Sequence, residues 1–214
     1  MTALFQIFLI LLLLNNLALL GAGRMGMLIR LIGLQVVLLA ALLALPSGEG
    51  PHAEHLLLAG AVLLIKGAGF PLLLFRTYRK IGMEPQSTPR MGYGGAVVAG
   101  MAGLALSLWL EGRLPLPAGF FPPLLLPAAL TTLFSGLIMV VSRIKALSQV
   151  IGYMAAENGI FLFGIPLLAE GAVWFELALL LDVFAAVFVM GIAINHIGHT
   201  FESIDVRRFC SLRD

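Results

Sequence analysis

Glu157, Asp182 and Lys66 are ionisable side chains set inside long apolar runs. Glu157 lies in the stretch Gly152 to Asn158, Gly-Tyr-Met-Ala-Ala-Glu-Asn, within an apolar segment from Ala146 to Leu168. About ten residues separate it from the charged start of that segment at Lys145, which is ~15 Å of helix, half of a ~30 Å hydrocarbon slab. A carboxylate at that depth costs on the order of 2.5–3.5 kcal/mol on insertion scales, so it reads as functional by default. Asp182 sits at a similar depth in the next segment, and Lys66 in an earlier one. Holding two carboxylates ionised together in a low dielectric is unfavourable, and an approaching lysine lowers the cost. Bridged by water, such groups are the material of a proton relay. The competing reading is that they only fasten helices together.

Other polar residues weigh less. Asn158 follows Glu157 on a different side of the helix and is expected to bond across helices, and Gln35 is a second candidate support. His196 and His199 have an i, i+3 spacing, but no matching acidic or cysteine ligands stand nearby, so His196 reads as an interfacial residue and no metal site is expected. Asn15 and Asn16 mark a face of the first segment that meets protein rather than lipid. Trp109 and Trp174 sit where aromatic belts do. No Gly-rich phosphate loop, haem or iron–sulfur spacing, or Ser/His/Asp constellation is present. A self-contained enzyme is therefore not expected, and no cofactor is assigned.

Composition fixes the class that must position these groups. The chain is 60% hydrophobic and 11% charged, with a mean hydropathy of +1.04. A soluble domain would carry about a quarter charged residues. The expected fold is all-α, a polytopic membrane protein of about seven transmembrane helices. A net charge of +2 does not point to nucleic acid. Cys210 allows no internal disulfide, and no cleavable signal peptide is expected. The expected spans are Ala3 to Ala22, Leu28 to Leu45, His55 to Phe75, Met91 to Leu110, Leu124 to Val141, Ala146 to Leu168 and Ala172 to Asn195. Pro46 and Gly48 stop the second. A polar connection is expected from Arg76 to Arg90, a Pro-rich re-entrant or interfacial loop from Leu114 to Pro123, and a polar tail over 201–214.

Charge counting orients the spans. With the loops after helices 1, 3 and 5 and the tail on one side, that side holds Arg24, Arg30, Arg76, Arg79, Lys80, Arg90, Arg143, Lys145, Arg207, Arg208 and Arg213. The other holds Arg113 alone. Positive residues favour the cytoplasm, so the N-terminus is expected outside and the C-terminus inside. A faint echo, Arg24 nine residues before Gly33 and Arg143 nine before Gly152, raises a parallel duplication of a three-helix unit, with chance similarity of leucine-rich helices as the alternative.

The segment Val150-Ile-Gly-Tyr-Met-Ala-Ala-Glu-Asn-Gly159, followed by Asp182-Val-Phe-Ala-Ala-Val-Phe-Val-Met-Gly191, resembles component E of hydrogenase-4 and formate hydrogenlyase-type, group 4 membrane-bound hydrogenases. The likeness extends over most of the chain, including the mid-helix lysine of the third span. The last three helices also resemble the K-type subunit of respiratory complex I and the C-type subunit of multisubunit cation/proton antiporters. This divides the chain into a four-helix part over 1–110, a K-type-like part over 111–200 and a cytoplasmic tail over 201–214. One departure is clear. K-type subunits carry a glutamate where this chain has Met154, and here the carboxylate comes three residues later, ~4.5 Å along the axis on about the same face.

The resemblance implies a non-catalytic, multi-pass subunit of the cell inner (plasma) membrane. Its implied partners are antiporter-like subunits and quinone- or hydrogenase-module membrane subunits, with lipid around them and no bound redox cofactor of its own. Glu157, Asp182 and Lys66 would then serve redox-coupled proton or sodium movement. A pure scaffold, an antiporter subunit and a free-standing transporter are the alternatives.

Overall fold

The computed structural model describes residues 2–45, 60, 63–81, 90–114 and 122–166. These residues are helical apart from short turns, because a backbone in lipid must satisfy its own polar groups and a helix does so within one segment. Helix α1 spans Thr2–Gly21 and α2 spans Met25–Ala44. A seven-residue π-helical stretch, Leu63–Gly69, runs directly into α3, Phe70–Ile81. Then come α4, Gly92–Glu111, α5, Leu125–Ser142, and α6, Ala146–Gly164. Four of these, Ala3–Gly21, Met25–Ala44, Gly92–Glu111 and Leu125–Ser142, are long and apolar enough to cross a membrane. The chain is a helical membrane protein. The expected seventh span, with Asp182, His196, His199 and Trp174, and the tail with Cys210 lie outside the described residues.

The third span differs from the expectation. Helix continues through Ile81, so the expected polar connection starts later than Arg76. The helix is also π from Leu63 to Gly69, with Lys66 at the middle of that stretch, and becomes α at Phe70. Pro71 has no N–H to give a carbonyl one turn earlier and its ring crowds that turn. Gly67 and Gly69 lower the cost of distortion just before it. A π turn is where such a conflict is absorbed.

Two short connections make antiparallel pairs, α1 with α2 and α5 with α6. Helices α1, α2, α6 and α5 form a closed ring of neighbours; α4 leans on α1 and α5, and the π stretch and α3 lean on α2. The tightest seam joins α5 to α6. A Cβ on Gly136 would sit 2.5 Å from the Gly152 carbonyl oxygen and collide with the Ala156 amide nitrogen. A Cβ on Gly152 would meet Val140 N at 2.9 Å, and one on Gly159 would meet Leu133 N at 2.5 Å. Without a hydrophobic drive between helices in lipid, such small residues let backbones touch and dispersion do the holding. Gly33 is different, since among the described residues a Cβ there would meet only Pro71 Cγ at 3.7 Å. The second copy of the expected duplication needs the seventh span, which lies outside the described residues.

The basic residues of the short turns gather at one end of the bundle. Arg90 N donates to Ser142 O at 2.8 Å, beside the Arg143–Lys145 turn. Arg143 itself is not the solvated loop charge that charge counting assumes. It is 1% exposed and donates to the carbonyls of Leu20 and Ala22 at 2.9 and 3.0 Å. Those are C-terminal carbonyls of α1 without an intrahelical donor, so the guanidinium acts as its C-cap. Its Cζ lies 5.7 Å from the centre of the Tyr93 ring, which ties the start of α4 to the same corner. At the opposite end Arg113 lies 5.4 Å over Trp109.

Candidate functional site

The buried apolar residues fall into two clusters rather than one. The first joins Leu19 and Leu20 of α1, Met25 to Ile32 of α2, Met139 of α5 and Leu147 to Ala155 of α6. The second joins Leu9 and Leu12, Val36 to Leu43, Leu125 to Ala129, and Phe161 with Leu162. On every ring helix the gap between the clusters holds a buried polar residue: Asn16 on α1, Gln35 on α2, Thr132 on α5, and Glu157 with Asn158 on α6. The bundle is therefore apolar, polar, apolar along its axis. Gln35 is at the midpoint of α2 and Glu157 is within about a turn of the midpoint of α6.

Helical periodicity sorts the Gly152–Gly159 stretch into two jobs. At ~100° per residue, Gly152, Ala155, Ala156 and Gly159 share the face against α5, while Glu157 and Asn158 project on either side of the opposite face, flanking Phe161. Lys66 Nζ lies 2.9 Å from Glu157 Oε1, with the two side chains 4% and 5% exposed. The π stretch thus delivers a lysine to a carboxylate ninety-one residues away. Lys66 Nζ also lies 5.3 Å from the centre of the Phe161 ring, whose face favours a cation. Each charge meets the other in a low dielectric, which offsets part of what either would cost alone.

Asn158 opens a second, neutral arrangement. Its Nδ2 donates to Gln35 Oε1 at 2.9 Å, Gln35 Nε2 donates to Asn16 Oδ1 at 2.6 Å, and Asn16 Nδ2 donates to Thr132 Oγ1 at 2.8 Å. Thr132 Oγ1 donates onward to the Ala128 carbonyl at 2.6 Å. One residue from each ring helix takes part, and every donor points the same way. Buried polar networks of this kind specify which helices pair and in what register. Gln35→Leu should strand the Asn158 amide and the Asn16 carbonyl, at about 1–3 kcal/mol for each. Thermal denaturation in mild detergent should show a midpoint lowered by several degrees. An unchanged midpoint would mean that the ladder holds nothing.

The sequence points to Lys66, Glu157, Asn158, Gln35 and Asn16 and raises the approach of a lysine to the carboxylates without saying which one it meets; it does not point to Thr132. A polar residue recurring at mid-depth in successive spans was the available signal. Among the described residues no group of three His, Cys, Asp or Glu side chains is placed to hold a metal ion.

A polar layer of buried charge and carboxamides, between two apolar clusters of a helical bundle with four membrane-capable helices, defines a membrane protein that keeps charge buried between its helices. The chain is a relative of hydrogenase-4 component E. It is 29% identical to that protein of Escherichia coli strain K12 over 167 residues, 75% of each chain, and equally to its counterpart in Shigella flexneri. It is 28% identical over 187 residues, 82% of this chain and 81% of the other, to the uncharacterized protein Rv0085 of Mycobacterium tuberculosis. No family model matches the chain, and no solved structure does.

Proposed function

We propose that this chain is a multi-pass inner-membrane subunit of a group 4 hydrogenase-like, complex I-related respiratory complex, and that Lys66 and Glu157 take part in redox-coupled movement of protons or sodium. The relationship to hydrogenase-4 component E supports the first half. The observation that carries the second is the Lys66–Glu157 pair, two ionisable groups brought together across two helices and closed off from solvent; in this reading they lie near mid-membrane. Such a couple has two forms of equal total charge, ammonium with carboxylate, or amine with carboxylic acid. An outside charge that approaches one member biases the choice between them, which is how a redox event elsewhere would be felt here. Asp182 extends this reading as a further relay group toward neighbouring chains, the antiporter-like and hydrogenase-module subunits, with the N-terminus outside.

Glu157→Gln keeps the shape and removes the titratable proton. In the assembled complex it should leave the electron-transfer reaction in place and lower ion pumping at least about tenfold, as Asp182→Asn should. Measuring both rates in inverted membrane vesicles decides the matter, and full pumping in both variants would sink the relay. A scaffold role is the second reading, favoured by the neutral ladder through Gln35. It expects normal pumping in Glu157→Gln as long as the subunit assembles.

A further inference from the structure

Thr131 and Ser135 of α5 are buried to 1% and 0% exposure, and among the described residues neither hydroxyl has a hydrogen-bond partner. Both lie on one face of α5, a turn apart. On one side of that face Phe134 packs against Gly103 of α4, and on the other Thr132 reaches Asn16 of α1. The two hydroxyls therefore look into the groove between α1, α4 and α5. A third hydroxyl belongs to the same groove. Arg90 pairs with Ser142 and Gly103 with Phe134, so α4 and α5 run antiparallel, and Ser107, one turn past Gly103, comes level with Thr131. Ser107 is fully buried and donates to the Gly103 carbonyl at 2.7 Å, leaving its oxygen able to accept.

In oil, a serine or threonine hydroxyl that has no other use turns back to a carbonyl of its own helix, as Thr132 does to Ala128. Thr131 and Ser135 do not. A buried hydroxyl without a partner is destabilising, and a site with two to four polar groups is one that water occupies. We propose that Ser107, Thr131 and Ser135 form a binding site for ordered water at mid-membrane, on the α4 side of the bundle and against the Thr132 end of the carboxamide ladder. The site is separate from Lys66 and Glu157, and it stands or falls independently of any role in ion movement.

The sign of a stability change tests it. Thr131→Val and Ser135→Ala remove one hydroxyl each with almost no change of volume. At a water site each removal loses hydrogen bonds, and the thermal midpoint of the full chain in mild detergent should fall by at least about 3 °C. In a dry groove each removal relieves an unpartnered polar group, and the midpoint should rise or stay level, which overturns the proposal.

Discussion

Lys66→Met should destabilise the chain by about 3–5 kcal/mol, because it leaves the Glu157 carboxylate buried without its cation. At roughly 2–4 °C per kcal/mol for a chain of this size, the detergent melting point should drop by on the order of 10 °C, and the yield from membranes should fall with it. The pair is asymmetric in an informative way. Breaking a buried ion pair is far costlier than replacing it whole, since desolvation takes back most of what attraction supplies. The double variant Lys66→Met with Glu157→Met should therefore recover most of the lost stability while abolishing titration at this level. A double variant no more stable than the worse single one would show that the two charges do not compensate each other. A Lys66→Met chain as stable as the parent would show that the contact at 2.9 Å carries no weight.

The second large effect is expected at the α5–α6 seam. Gly136→Val places a branched side chain where even a single carbon collides with the Ala156 amide and sits 2.5 Å from the Gly152 carbonyl. Backbone cannot rotate aside as a side chain does, so the helices must part along their length. Overpacking costs about 1–3 kcal/mol where neighbours can yield, and more where they cannot. Gly136→Val and Gly159→Val should each prevent accumulation of folded protein, as judged by a monodisperse peak on size exclusion in detergent. Gly33→Ala is the contrast. Its new methyl meets only Pro71 at an ordinary 3.7 Å, and alanine is the better helix former by about 1 kcal/mol, so that variant should match or exceed the parent. If Gly136→Val and Gly33→Ala behaved alike, close packing would not be what joins α5 to α6.

Much of this was readable from the chain before any coordinates. Apolar length set the first, second, fourth and fifth spans to within a few residues, because a lipid slab allows little else; the third runs six residues past its expected end, and the seventh lies outside the described residues. Depth along a span also marked Lys66, Gln35 and Glu157, since polar groups in oil are too costly to be idle. Partner choice was not readable. Nothing local tells Lys66 to meet Glu157, and the contact depends on a π turn that Gly67, Gly69 and Pro71 permit without dictating. Thr132 escaped notice because a threonine in a membrane helix ordinarily satisfies itself on its own backbone; here it does so and accepts from Asn16 as well. Arg143 was misjudged for a different reason. A charge beside a helix end looks like an interfacial anchor, and only tertiary structure reveals that its ligands are the bare carbonyls of another helix. The alanines and glycines of the Gly152–Gly159 stretch read as a signature, yet their reason is steric: they let α6 lie flat on α5 while Glu157 and Asn158 turn the other way.

The ladder from Asn158 to Thr132 has an electrical meaning as well as a mechanical one. Asparagine and glutamine hand on a hydrogen bond without ever holding net charge, since neither has a titratable proton. Charge that reached Glu157 would therefore not spread along the ladder toward α1 and α5, whereas Lys66, in direct contact with Glu157 among the described residues, would feel it at once.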